Sequence, residues 1–273
     1  MCIRDSIKIV LESHGDFINT LELEKNLIFP TVYRKLFLKM ASYTINKADI
    51  LRAVSSSTEE QALSFDPTKR VVRFPAWVDF EIFSKVQASR SDEKDFKILF
   101  IGSVTDRKKP HLIVEAINKI KNKDIKLYVV GPTPNENYLS QLKELVHNYD
   151  LEDQVLFTGS VDRKSVMDHY ADTNLMILPS VSEGLARVIF ESQATACPVL
   201  VTDAPGMGDI VIDGQTGYIF ESDNLESLTN KIQEIINNYN DAVHVGNNAK
   251  DFILSNYSAD NFKFSFKKLF DTV

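Results

Sequence analysis

Short apolar runs alternate with amphipathic stretches along most of the chain, and the alternation is most regular from residue 97 onward. There 97–102, 125–131, 154–159, 175–178 and 198–202 read as strands, each a mainly apolar run bounded by Gly, Pro or polar residues. Between them 111–120, 138–148, 165–171 and the residues from Val188 up to Pro198 read as helices. Strands alternating with amphipathic helices predict a parallel sheet covered on both faces. Ligands of such α/β sheets bind outside the carboxyl ends of the strands. Beyond the last strand, 225–239, 242–256 and 262–270 read as helices. No solenoid-type repeat is visible.

The earlier part is less regular. Residues 7–11, 48–55 and 70–74 read as strands, and 58–64 as a helix with Ser55–Ser57 supplying its N-cap. The stretch 21–40 is helical but irregular, with a break expected at Pro30 and a continuation over 41–45. Residues 84–95 are almost wholly polar, which makes them the best candidate linker. The expected division is therefore 7–83, a linker at 84–95, a regular unit at 96–256, and a terminal helix at 257–273 that could pack back on the first part. Met1 to Ser6 resemble the translated end of a sequencing-library adapter and are set apart as an artefact. On that reading the chain is N-terminally truncated, since a strand begins at the artificial edge.

Composition narrows the class. With 273 residues, there is room for one large or two modest domains. A formal net charge of -7 argues against non-specific nucleic-acid binding. No apolar run approaches the ~18 residues of a membrane-spanning helix. Two cysteines make no disulfide framework and fit a reducing, cytoplasmic compartment. No basic amphipathic helix stands out as a membrane anchor.

Candidate chemistry gathers where the strands end. Pro179-Ser180-Val181-Ser182-Glu183-Gly184-Leu185-Ala186-Arg187 follows the strand at 175–178 and leads into a helix carrying Glu191. Strand, polar turn and helix together expose backbone N–H groups at a helix N-terminus. With both acids along one side of the helix, Glu191 would lie about two helical turns deeper than Glu183, so a polyhydroxylated ligand could meet a carboxylate at each end. The helix dipole alone also favours an acid near a helix start. Gly102-Ser103-Val104-Thr105-Asp106-Arg107-Lys108-Lys109-Pro110 sets three adjacent cations before a helix, suited to a diphosphate, and equally readable as a solvated basic turn. Gly131, Gly159 with Ser160 and Val161, and Gly206 with Gly208 end further strands; each fits either a phosphate approach or a plain turn. His14 follows a strand and could donate a hydrogen bond or proton, or be a surface loop histidine. The remaining histidines show no metal-ligand spacing, and Cys197 reads as a packed small hydrophobe.

Taken in order, these features resemble the donor-binding domain of retaining GT-B glycosyltransferases, the large E-x7-E family also called glycosyl transferases group 1. The matching marks are Gly102 with Lys108 and Glu115-Ala116, Val129-Val130-Gly131, Val155-Leu156-Phe157-Thr158-Gly159, Pro179-Ser180 through Glu183 and Glu191, Pro205 to Ile210, and Gly214-Gln215-Thr216-Gly217-Tyr218. More weakly, Ser13-His14-Gly15 and Ala53-Val54-Ser55 resemble the acceptor-side domain. The resemblance implies a GT-B architecture: a complete Rossmann-like C-terminal domain and the remnant of an N-terminal one.

It also implies roles. Lys108 would contact the donor diphosphate, with Arg107 or Lys109 beside it and Gly102 and Gly131 in the wall. Glu183 would bond the transferred sugar and Glu191 the ribose, while Ser160 and Val161 would lie near the base. Backbone N–H groups of Gly184, Leu185 and Ala186 would approach sugar or phosphate, and His14 would face the sugar. His14 and Glu183 are thus the expected catalytic pair. Ser103 departs from the Arg many relatives carry there. The implied reaction moves a hexose-type unit from a UDP- or GDP-sugar, with retention and without a metal or other cofactor, to a glycan or lipid-linked acceptor in cell-surface polysaccharide or glycolipid synthesis. A lipid acceptor would bring the protein to the inner face of the membrane, with peripheral contact expected through the missing N-terminal half. Two other readings stay open: a nucleotide-sugar binding module without turnover, and a nucleotide-sugar epimerase of GT-B-like shape.

Overall fold

A computed structural model describes residues 8–14, 30–90 and 95–272. The adapter-like residues, Ile7 of the expected first strand, Gly15, residues 21–29 of the expected helix and the polar residues 91–94 lie outside the described residues. The chain forms two compact units. One takes the residues up to Trp77, the short stretch Ser182–Leu185 and those from Tyr257 onward; the other takes Val78–Val181 and Ala186–Asn256.

The first unit contains β1 (Val10–Ser13), α1 (Pro30–Lys47), β2 (Ile50–Ala53), α2 (Ser56–Phe65), β3 (Val71–Arg73) and, from the far end of the sequence, α10 (Ala259–Thr272). The strands pair in the order β1-β2-β3, all parallel. Central β2 is buried throughout, and alternate side chains serve opposite faces. Leu51 and Ala53 pack with Ile45 and Ala62; Ile50 packs with Phe74 and with Leu269, Phe262 and Phe266 of α10. Ser55 caps α2: its hydroxyl accepts from the Thr58 N–H, and the Thr58 hydroxyl accepts from the Ser55 N–H at 3.0 Å. One continuous helix of 18 residues starts at Pro30, because at a first helical position proline has no hydrogen bond to lose, and it runs through the continuation expected over 41–45.

The second unit contains α3 (Glu81–Ser84), β4 (Phe96–Ile101), α4 (Pro110–Ile120), β5 (Ile125–Val130), α5 (Glu136–Asn148), β6 (Val155–Gly159), α6 (Arg163–Asp172), β7 (Leu175–Leu178), α7 (Arg187–Ala194), β8 (Val199–Thr202), β9 (Tyr218–Phe220), α8 (Leu225–Asn237) and α9 (Tyr239–Asn256). Its six strands are all parallel in the order β6-β5-β4-β7-β8-β9. Strands β7 and β8 are buried along their whole length, as their unbroken apolar sequence requires. The described part of the polar stretch is tied down here. Ser89 donates its N–H to the Ala171 carbonyl at 2.9 Å, and the Arg90 guanidinium donates to the carbonyls of Ala196, Thr195 and Tyr170.

Candidate functional site

The order of the second sheet fixes where a ligand can bind. Strands β4, β5 and β6 step away in one direction, while β7, β8 and β9 step away in the other. Between adjacent β4 and β7 the winding reverses, so the loops after these two strands diverge and leave a crevice at the carboxyl edge. Those loops are joined by a hydrogen bond from the Val181 N–H to the Arg107 carbonyl at 3.2 Å. The neighbouring strand end is tied in as well, since the Thr202 hydroxyl donates to the Ser180 carbonyl at 2.7 Å.

Three glycines close the strands on the other side of the switch. Gly102 donates its N–H to the Val130 carbonyl and Gly131 donates to the Gly159 carbonyl, each at 2.9 Å. Gly131 has φ 139°, and a Cβ built there would stand 2.1 Å from the Gly102 carbonyl oxygen. Only glycine fits this close backbone approach. Gly102, with φ 145°, is covered by the Lys108 side chain, whose Nζ would lie 3.4 Å from an added Cβ. Lys108 therefore folds back over the end of β4, the central strand at the switch. Its backbone is set by a 3-10 turn over Asp106–Lys108, followed by Lys109 in the left-handed region and Pro110 at the first position of α4. Lys109 turns elsewhere, and its ammonium is paired with Asp223.

The loop after β7 carries the two acids differently from the sequence expectation. Helix α7 begins only at Arg187, so Glu183 sits in irregular chain and is not two helical turns from Glu191. The segment resists an earlier helical start because Gly184 and the polar Ser180 and Ser182 favour turn conformations. Glu183, Gly184 and Leu185 belong to the stretch that groups with the first unit, whereas Ala186 and Glu191 belong to the second. Ala186 is the N-cap of α7 and makes no side-chain capping bond.

Glu191 lies on the first turns of α7, half-buried. Burial pushes its carboxyl above the usual carboxylate range; a hydrogen bond from Tyr170 and the charges of Arg187 and Arg163 pull the other way. The Tyr170 hydroxyl stands 3.2 Å from Glu191 Oε2 and 3.2 Å from the Val188 carbonyl oxygen. On the far side of the sheet, Ser160 is exposed and Val161 half-buried in the turn after β6, which Asp162 ends by capping α6.

His14 stands just after β1 in the first unit. Its Nε2 is 2.7 Å from Glu12 Oε2. Residues two apart on an extended chain share a face, which brings this pair together. The Arg52 guanidinium lies 3.0 Å from the same Glu12 oxygen and donates to the Pro75 carbonyl at 2.8 Å. It also stacks on the Phe74 and Phe266 rings, 4.1 and 4.9 Å from their centroids. Partial burial raises the Glu12 carboxyl, but the His14 hydrogen bond and the Arg52 charge outweigh it and hold it below its ordinary value.

The second unit thus gathers Gly102, Arg107, Lys108, Gly131 and Ala186 at or near the switch-point edge and sets Glu191 on the helix that follows, while Lys109 is engaged elsewhere. Residue-by-residue reading missed Tyr170, Glu12, Arg52 and Asp223. The Glu12-x-His14 spacing on a strand was the one available signal; the other partners come from distant segments. Among the described residues no group of three or more His, Cys, Asp or Glu is placed to hold a metal ion.

Comparison with known proteins agrees with this architecture. The family model for glycosyl transferases group 1 matches residues 81–252. The N-acetyl-alpha-D-glucosaminyl L-malate synthase of Bacillus anthracis is 24% identical over 266 residues, covering 94% of this chain and 66% of that protein. A GDP-mannose-dependent alpha-(1-6)-phosphatidylinositol monomannoside mannosyltransferase of Mycobacterium tuberculosis is 24% identical over 229 residues, covering 78% of this chain and 59% of that one. Among solved structures, Anabaena HepE in complex with UDP and glucose superposes with a TM-score of 0.81 at 17% identity, covering 98% of this chain and 72% of that one. The chain spans between 41% and 66% of the length of such curated relatives. With more than half of its length matched, and with a parallel α/β fold shared with GT-B glycosyltransferases, the chain belongs to the glycosyl transferases group 1 family.

Proposed function

We propose that residues 96–256 bind the donor of a retaining, GT-B-type hexosyltransferase. In this reading 7–83 are part of the acceptor-side domain, 84–95 join the two, and α10 completes the first. The observation that carries the reading is the Lys108 side chain folded over Gly102 at the β4/β7 switch point. Lys108 holds the diphosphate there, with Arg107 as its neighbour, and stabilises charge as the diphosphate leaves. Glu191 accepts the ribose hydroxyls, Ser160 and Val161 border the base, and the N–H groups from Gly184 to Ala186 meet sugar or phosphate. Glu183 and His14 serve the transferred hexose. The acceptor is a glycan or a lipid-linked glycan of cell-surface polysaccharide or glycolipid synthesis. Calorimetry with UDP- and GDP-sugars tests the donor site. Binding of one nucleotide class is expected, and no binding of either would overturn the reading. The chain by itself is expected to transfer little sugar; robust acceptor-dependent turnover would refute that. Formation of an altered sugar without acceptor would instead favour an epimerase. Binding without transfer by a chain of the relatives' full length would favour a binding module.

A lipid-linked acceptor implies peripheral membrane contact, and the exposed face of α1, which the sequence pattern did not single out, supports it. Val32, Leu36, Met40 and Tyr43 of this helix are 66%, 58%, 62% and 61% exposed. They fall on one face by their spacing, and Tyr33 borders them. Lys35, Lys39 and Lys47 accompany the face, and the helix holds no acidic residue, although the chain as a whole is acidic. That charge suits anionic headgroups. Sedimentation with anionic vesicles should carry the protein down, less so at high salt and less so for the Leu36→Glu, Met40→Glu variant. Equal binding to zwitterionic vesicles, or none to either, would count against α1 as the contact.

A further inference from the structure

We propose that Tyr170 is a positioning residue for the nucleotide donor: its buried hydroxyl donates to Glu191 Oε2 and fixes the orientation in which that carboxylate meets the ligand. The inference rests on the proposed donor site and adds a residue from another helix to it. Tyr170 is fully buried and anchored at three points. Its ring meets Phe83 of α3 edge-on at 5.8 Å, its carbonyl accepts from Arg90 at 3.2 Å, and its hydroxyl reaches α7. A phenol has one proton to donate. Two acceptors lie at equal distance, the Val188 carbonyl and Glu191 Oε2, both on α7. The ionised carboxylate is the stronger acceptor, so the proton goes to Glu191 when that group is charged.

Glu191 is the group that needs such a partner. Burial opposes its charge, and the groups that favour it are Tyr170 and Arg163 from α6 and Arg187 from its own helix. A protonated Glu191 would lose most of its ability to accept two ribose hydroxyls. Nucleotide affinity should therefore fall as the pH drops through the raised Glu191 value. Removing the Tyr170 hydroxyl takes away a hydrogen bond that favours the charged carboxylate, so the fall should begin at higher pH.

The test uses UDP and GDP as probes on the whole chain, with dissociation constants followed against pH. Tyr170→Phe keeps the ring packing and removes one hydrogen bond, worth roughly 0.5–1.5 kcal/mol, hence a two- to tenfold weaker Kd at neutral pH. The same substitution in a Glu191→Ala background, which leaves Tyr170 no side-chain acceptor at that position, should leave Kd and its pH dependence unchanged. Should Tyr170→Phe fold poorly, 3-fluorotyrosine, a more acidic donor, replaces it in the test and should move the acid limb to lower pH. If neither nucleotide binds the unaltered chain, the donor site and this inference fall together. If a nucleotide binds and Tyr170→Phe changes neither Kd nor pH profile, the inference alone fails. An equal loss in the Glu191→Ala background would also overturn it, because Tyr170 would then act only through packing.

Discussion

Gly131→Ala is expected to be the most damaging single substitution at the strand ends. Its methyl group would stand 2.1 Å from the Gly102 carbonyl oxygen and 2.7 Å from the carbonyl carbon, with the backbone at φ 139°. Neither neighbour can move without breaking the bond from Gly102 N–H to the Val130 carbonyl, which keeps β4 against β5. Overpacking and backbone strain together should cost about 3–5 kcal/mol. Gly159 supplies the contrast. It has φ 67° but open space around its Cβ position, so Gly159→Ala should cost only the left-handed penalty of about 1–2 kcal/mol. Gly102→Ala should fall between, because what it meets is the flexible end of Lys108. Urea unfolding of the three variants measures the order. Equal midpoints for Gly131→Ala and Gly159→Ala would show that the close approach of the Gly102 and Gly131 backbones does not constrain the sheet.

Lys108→Ala should weaken UDP or GDP binding by roughly one to two orders of magnitude, the worth of a charge-assisted bond at about 1.5–3 kcal/mol. The effect should shrink with added salt, as expected of a partly exposed cation facing a diphosphate. Lys109→Ala should have much less effect on affinity, since its ammonium is already paired with Asp223. The two lysines are neighbours in sequence and chemically identical, so the comparison isolates what the backbone does with them. The 3-10 turn and the left-handed residue that follows aim them apart. Equal losses from both variants would mean that the diphosphate is met by general positive charge and not by Lys108 in particular.

Much of the fold is legible in the sequence. Fully apolar strand runs with amphipathic helices between them require a parallel sheet, because nothing else buries both faces of such strands. The second unit follows that rule strand by strand. Caps were legible too: Ser55 before α2 accepts from an N–H of the first turn as its side chain predicts. Pro30 stands at a helix start for a local reason. Proline's missing N–H breaks a helix interior but is harmless at its first position, and the apolar pattern alone does not say which applies.

At the candidate site the division runs between local and distant information. The sequence alone determined which side chains stand at the strand ends, that these ends share one edge, and that Gly102, Lys108 and Glu191 occur in an order resembling a known donor domain. Only the tertiary structure decided that the winding reverses between β4 and β7, that Gly131 must be glycine because the Gly102 carbonyl approaches it, that Lys109 answers Asp223, and that Tyr170 stands against Glu191. The reason is physical. A residue's type and its neighbours fix its local conformation, but its partners come from strands and helices tens of residues away. Those partners are brought close by burial of apolar surface, which is non-directional and leaves no mark in the local sequence of the polar groups it assembles.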